Sequence, residues 1–482
     1  METINTNLSE SESMANGARM TDMEKSTISG GSRRRSGWAR AGGALAVLCL
    51  LVWSGCKNPL NVQNPNKLTE QNVDSPEAYG ALVGASRNNL ARAANGMLAI
   101  MENASDESFW IGSRDAWGAL DNGKISDPTN EFTDVTWPFV GQARFTADKA
   151  IIQGKVFQDA GTLPDPNLLA QAYLYGGTLY TLIADTWQRY VLPSDLTDPE
   201  EAGNPIAAAD MPGLYDTAIG YFTAGLQVVT DDDTELALRA MRVRAMQAKA
   251  IRLQIQSGDP TNPGVVSVPQ QAVQDANAIL NQVSDGWTFS LDFSDGLLGI
   301  GCESWAPQVW SRGELQVGDR PAPDNRYVVL SNEDKTIDAV KIEDPIDSIV
   351  DPAYSAQLAA FKAGGRDASM TEMSAAELHL ILAENELATN GDTQAFRDQI
   401  NAVRALHASD GLTDYTGQIP AMQILEWERN VNLTFQGRRL ADHYRFGSQD
   451  PLWQPTSVAV ESPGTLFPIT ITEIRSNPNV SG

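Results

Sequence analysis

The stretch AAELHLILAENELATNGDTQAFRDQINAVRALHA, which starts at Ala375, constrains the fold more than any other part of the chain. Its first half reads as a helix that stops at Asn390-Gly391, a pair suited to the left-handed residue that closes a last helical turn. Asp392 or Thr393 then caps a second helix, whose apolar face is Phe396, Ile400, Val403 and Leu406. Neither helix buries its stripe alone, so such pairs must stack on one another. A helix–turn–helix of about 34 residues has the size of a tetratricopeptide unit, although the full consensus is absent.

Helical periodicity recurs upstream. Ser75-Pro76-Glu77 reads as an N-cap, an N1 proline and a first-turn acid. Further helices are expected at about 138–154, 167–184, 213–230, 234–257, 268–283, 374–390, 393–408 and 419–437. Two long regions, about 103–137 and 284–371, lack a helical period and hold much of the tryptophan. Long irregular segments are functional or disordered, and their aromatic content argues against disorder. The expected class is predominantly all-α: a tetratricopeptide-like helical-pair scaffold with an irregular, loop-rich lobe.

The N-terminal region reads as a leader. Ala41 to Trp53 is uncharged and too short for the roughly 20 residues of a membrane span. It follows Arg33, Arg34, Arg35 and Arg40 and ends at Ser54-Gly55-Cys56, the pattern of a signal peptide whose cysteine is lipidated. Trp53 stands where such a site usually has leucine. Residues 1–55 are thus expected to be signal peptide, and 56–74, rich in Pro and Asn, a lipidated N-terminus and tether. Met23 is a better start than Met1, because residues 1–22 are polar and acidic.

The chain carries 35 Lys+Arg against 61 Asp+Glu, a net charge of −26. That balance opposes nucleic-acid binding and adhesion to anionic lipid through a basic patch. With Cys49 in the leader and Cys56 lipidated, Cys302 has no partner for an intramolecular disulfide. His379, His407 and His443 sit on helical patterns, where a lone histidine is ordinarily surface or core filler. No HExxH, GxSxG, GxxxxGK[ST] or dinucleotide fingerprint occurs, so no cofactor, metal or catalytic residue is assigned. TDDDTELALR at 230–239 lacks the spacing of a calcium loop, and Asp231–Asp233 are better read as a helix cap.

Several ordered motifs together resemble the SusD/RagB nutrient-uptake outer-membrane lipoproteins, over nearly the whole chain beyond the leader. They begin with the lipidated cysteine and tether. TWPFVGQARFTADKAI is similar to a family helix ending in Ala-Asn, with Asp148 in place of Asn. AQAYLYGGTLYTLIADTWQRYVLP looks like the helix that leads to a family turn. SAAELHLILAENELATNGD and INAVRA resemble two later helices. EWERNVNLTFQGRRLADHYRFG matches a late motif at Glu428, Arg429, Leu433, Gly437, Arg439, Asp442, Arg445 and Gly447, with Asn432 and Gln436 where the family usually has Glu. FPITITEIRSNPN fits the closing pattern. The resemblance implies four helical pairs with an irregular lobe, residues 75–482 forming this domain. It also implies a partner, a TonB-dependent (SusC-like) outer-membrane transporter that the lipoprotein covers as a lid. The charged residues of the late motif are themselves read as packing and capping groups.

The remaining informative residues are loop tryptophans. ESFWIGSRDAWGALDNGK places Trp110 and Trp117 among polar residues, and GCESWAPQVWSRGE does the same for Trp305 and Trp310. An indole covers the C–H face of a sugar while polar neighbours bond its hydroxyls. These four are expected to supply at least two members of one exposed platform, with Arg114 as a hydroxyl partner. The family builds its ligand site from aromatics outside the repeats, which points the same way. Trp137, Trp187 and Trp427, on helical patterns, are assigned to packing. The resulting expectation is a non-enzymatic, outward-facing outer-membrane lipoprotein that binds an oligosaccharide, or a peptide, and delivers it to the transporter. The alternatives are a lipid-anchored polysaccharide hydrolase and a helical-repeat adaptor for proteins only.

Overall fold

The computed structural model describes residues 75–480 apart from 197, 199–200, 259–263, 293–303, 319, 322–338 and 341. The leader, Cys56, the tether and Cys302 lie outside the described residues.

The first helix begins later than its sequence signals suggest. Ser75 makes no side-chain cap bond, Pro76–Ala78 form a 3-10 turn, and α1 (Tyr79–Asn103) starts only after it. The region expected to be irregular next holds a short strand, β1 (Phe109–Trp110), and a short helix, α2 (Asp115–Asp121). Helix α3 (Glu131–Asp159) starts well before the expected residue 138, with Pro138 inside it. The physical reason is Asn130, whose side chain accepts from the N–H groups of Phe132 and Thr133 at 3.1 and 3.2 Å. That cap, together with burial of Phe132, Thr136 and Trp137, offsets the roughly 3 kcal/mol cost of an interior proline.

Asp165 caps α4 (Pro166–Thr186), which is followed by α5 (Gly213–Gly225). Asp231 caps α6 (Asp232–Ser257), its carboxylate accepting from Thr234 N–H at 2.8 Å, as expected of a capping residue. Helix α7 (Gln270–Leu280) packs on α6, and Asp275 takes Arg242 at 2.7 Å and Arg239 at 3.2 Å across that contact. Four small antiparallel ribbons lie outside the helices. They pair β1 with β5 (Leu315–Gln316), β2 (Val191–Leu192) with β3 (Asn204–Pro205), β4 (Thr288–Leu291) with β8 (Met370–Ser374), and β6 (Arg320–Pro321) with β7 (Ala339–Val340). The second expected irregular region also contains helices: α8 (Trp305–Trp310) and α9 (Pro352–Gly364), the latter capped by Asp351.

The pair that opened the sequence argument forms as read. Ser374 caps α10 (Ala375–Asn390), Gly391 follows with φ 82°, and Thr393 caps α11 (Gln394–Ala405). Phe396, Ile400 and Val403 are buried against Leu380, Ala383, Ile424 and Leu425. Each such side chain contributes about 1.5–3 kcal/mol by burial. Leu406 is only half-buried, because α11 ends at Ala405. Helices α12 (Ala421–Asn432), α13 (Arg439–Phe446), α14 (Val458–Glu461) and α15 (Ile471–Ser476) complete the described chain. The helices pair as α1/α3, α4/α5, α6/α7 and α10/α11, with α3 on α4 and α5 on α6. This is a helical-pair scaffold, and the tryptophan-bearing segments gather beside α1 and α12. Among the described residues no helix is long and apolar enough to cross a membrane.

Candidate ligand-binding site

Two segments far apart in sequence meet in the lobe. In the β1–β5 ribbon Phe109 faces Gln316 and Trp110 faces Leu315, which brings the stretch holding Trp110 and Trp117 beside the stretch holding Trp305 and Trp310. Glu314 fastens the turn between β1 and α2. Its carboxylate accepts from the N–H groups of Ser113 and Arg114, both at 2.9 Å, and from Ser113 Oγ at 3.0 Å.

The four tryptophans differ in what they touch. Trp110 lies over Gly118, where a Cβ would come within 2.4 Å of the indole. Trp117 is fully buried and stacks on Phe132 with centroids 3.8 Å apart at 14°. Trp305 is 2% exposed, lies 5.4 Å from Phe361 and 5.7 Å from Phe435, and donates its backbone N–H to Asn95 Oδ1. Trp310 packs 5.5 Å from Phe361 and is 38% exposed. Exposure therefore belongs to Trp310 alone, because the other three indoles meet apolar partners from α2, α3, α9 and the turn after α12. Arg114 is committed as well: its guanidinium pairs with Glu131 and sits 5.5 Å over the Phe132 ring. Trp137, Trp187 and Trp427 pack as expected, with Trp137 and Trp427 donating Nε1 to Glu473 and Asp351.

Trp305, Trp310, Phe361 and Phe435 form one aromatic cluster beside a recess of about 270 Å³. Gln357, Asp367, Ser369, Thr371, Thr434 and Gln436 share its lining with Trp305, Phe361 and Phe435. Two buried polar atoms here, Trp305 Nε1 and Gln436 Oε1, have no protein partner among the described residues. One is a donor and the other an acceptor, as a hydroxyl requires. Phe435 holds φ 62°, a conformation that costs a bulky residue about 1–3 kcal/mol. Its N–H donates to Glu107 Oε2 at 2.7 Å, and the next glycine, Gly437, donates to Glu102 Oε1 at 2.8 Å. These bonds hold the strained turn open to the recess. Sequence reasoning missed Phe361 and Phe435. Phe361 sits in a segment read as irregular, and Phe435 sits inside a motif read as structural.

The charged residues of that late motif are buried packing groups. Arg404 pairs with Glu428 at 2.7 Å and Asp344 at 2.8 Å. Asp442 bridges Arg429 at 3.0 Å and Arg445 at 2.8 Å, and Arg445 also holds Glu384. Arg439 reaches Asp106 at 2.8 Å. Burial pushes the Glu428 carboxyl up to about 7 against the pull of Arg404. Burial also raises Asp442, but its two guanidinium neighbours outweigh it and bring the group down to about 2. The histidines are accounted for locally: His379 Nδ1 lies 2.7 Å from Gln399, His407 lies 3.5 Å from Asp410, and His443 lies 3.2 Å from Asp106.

Stacked helical pairs with an aromatic recess built from α8, α9 and the turn after α12 define a helical-repeat scaffold with an attached lobe. Residues 354–481 match the model of the SusD family. No curated protein matches the chain. Among solved structures, a SusD superfamily protein from Bacteroides fragilis has a TM-score of 0.58 at 12% identity, covering 85% of this chain and 99% of that one. A SusD homolog from Bacteroides thetaiotaomicron has a TM-score of 0.57 at 13% identity, covering 86% and 98%. A laminarin-binding SusD-like protein has a TM-score of 0.50 at 14% identity, covering 84% and 99%. The C-terminal segment thus matches the SusD family, and the fold is that of solved SusD superfamily structures.

Proposed function

We propose that this protein is a non-enzymatic, lipid-anchored protein of the outer membrane that binds an oligosaccharide and passes it to a TonB-dependent transporter. One observation carries the reading: an exposed indole, Trp310, continues through Phe361 into a recess lined by polar side chains. A sugar ring has an apolar face for the indole and a hydroxyl rim for Gln357, Ser369, Thr371 and Gln436. Trp305 forms the inner wall, while Trp110, Trp117 and Arg114 keep the ribbon in place beneath it. The laminarin-binding relative of the same fold supports a glycan over a peptide. The family's association with a SusC-like transporter supports the partner, and the lipobox pattern at Cys56 supports the anchor.

Calorimetric titration of laminari-, malto- and xylo-oligosaccharides into the purified chain tests the binding. Saturable heat without release of shorter products is the expected result, and turnover would instead favour a hydrolase. Trp310→Ala should cost about 1–3 kcal/mol of affinity, by analogy with base stacking, and leave the melting temperature unchanged. Affinity equal to wild type would move the site away from the recess.

A further inference from the structure

A second cavity, of about 50 Å³, lies between α6 and α13, behind the Phe435–Gly437 turn. By this measure a water needs about 10–15 Å³, so the space takes a few waters or one small ion. Four guanidiniums line it: Arg244, Arg252, Arg429 and Arg438. Three are matched by carboxylates: Arg244 by Asp185 at 2.7 Å, Arg429 by Asp442 at 3.0 Å and Arg438 by Glu377 at 2.9 Å. Arg252 is matched by none among the described residues, although it is only 4% exposed.

The free donors are specific atoms. Arg252 Nε and Nη2, the side-on edge of its guanidinium, have no protein partner, and neither do Arg244 Nε and Nη1. Asp185 accepts from Arg244 at 2.7 Å and from the Tyr215 hydroxyl at 2.6 Å, and it makes no hydrogen bond or ion pair with Arg252. A buried unpaired cation is costly, and a side-on guanidinium edge fits the two oxygens of a carboxylate or sulfate. We propose that this cavity binds one small oxyanion, of acetate or sulfate size, on Arg252 and Arg244. The bound anion completes the charge balance where α6 meets α13. The site is separate from the aromatic recess and holds whether or not the recess binds a glycan.

The test is titration of sodium acetate and, separately, sodium sulfate into the purified chain, with ionic strength balanced by sodium fluoride. A saturable rise in melting temperature with at least one of the two is expected. Arg252→Gln should abolish it, and Arg252→Lys, which keeps the charge without the fork, should weaken the apparent affinity at least tenfold. A non-saturable rise equal in wild type and both variants would overturn the assignment. Calorimetry on the wild-type chain decides the matter if the variants fail to fold: saturable heat at one site per chain supports it, and no heat with either anion overturns it. Glucuronate, whose ring exceeds the cavity, is expected to have no effect. Stabilisation by it would overturn the restriction to small free anions.

Discussion

Asp148 is fully buried and accepts from the hydroxyls of Tyr180 at 2.9 Å and Tyr221 at 3.2 Å and from Arg144 Nη1 at 3.2 Å. Burial dominates, and it raises the carboxyl from 3.8 to about 6 despite those partners. Between those pH values the folded state keeps a proton that the unfolded state releases, so this group's contribution to stability falls as pH rises from about 4 to about 6. Asparagine is a neutral group of the same shape. Asp148→Asn should therefore gain stability relative to wild type across that window, by up to about 3 kcal/mol, and remain level above it. Urea midpoints of both proteins measured at several pH values check this; a difference that does not vary with pH would show that the carboxyl ionises normally. Asp442 has the opposite sign: held down to about 2, it contributes stability that is lost as pH falls through the folded value.

At the scale of elements, caps and turn glycines decide where helices begin and end. Gly391 closes α10 with φ 82°, a conformation that β-branched residues avoid. Gly391→Val should destabilise the α10/α11 pair by about 1–3 kcal/mol. Its denaturant midpoint is the measurement, and an unchanged value would mean that the turn relaxes without cost. Helix α9 was legible and went unread, since Asp351 followed by Pro352 is a cap and N1 signal of the kind recognised at other helices. The expected start of α3 failed for a related reason. The helix was expected from about 138, while its capping residue, Asn130, lies two turns upstream.

For the whole molecule, attachment and solubility are separate questions. The net charge of −26 favours a dispersed, soluble body. None of the described helices is long and apolar enough to cross a bilayer. Under the proposed anchoring, attachment rests on Cys56, and Cys56→Ala should release the protein from outer-membrane fractions. Acyl chains contribute about 0.8 kcal/mol per buried CH₂, so their loss is decisive. Fractionation after carbonate washing is the check, and a variant that stayed with the membrane would count against the lipid anchor.

Features set by local chemistry are legible in the sequence. The α10/α11 pair, the cap at Asp231, the cap at Asp392 or Thr393 (the structure selects Thr393), and the buried stripe of Phe396, Ile400 and Val403 all follow from spacing and side-chain type within one segment. It also drew attention to two tryptophan-bearing segments that the β1–β5 ribbon unites. Which indole faces solvent depends on long-range packing. Trp117 vanished into a stack on Phe132, and Trp305 into one on Phe361, because those partners arrive from 15 and 56 residues away. The same holds for the guanidiniums of the interior. Arg429, Arg438 and Arg439 lie close together in the sequence, yet their carboxylates come from α13, α10 and the loop before β1. Among the described residues, Arg252 alone of the four that line the cavity received none. Pairing over such separations depends on how helices stack, and helical periodicity carries no information about which distant charge a buried charge will meet.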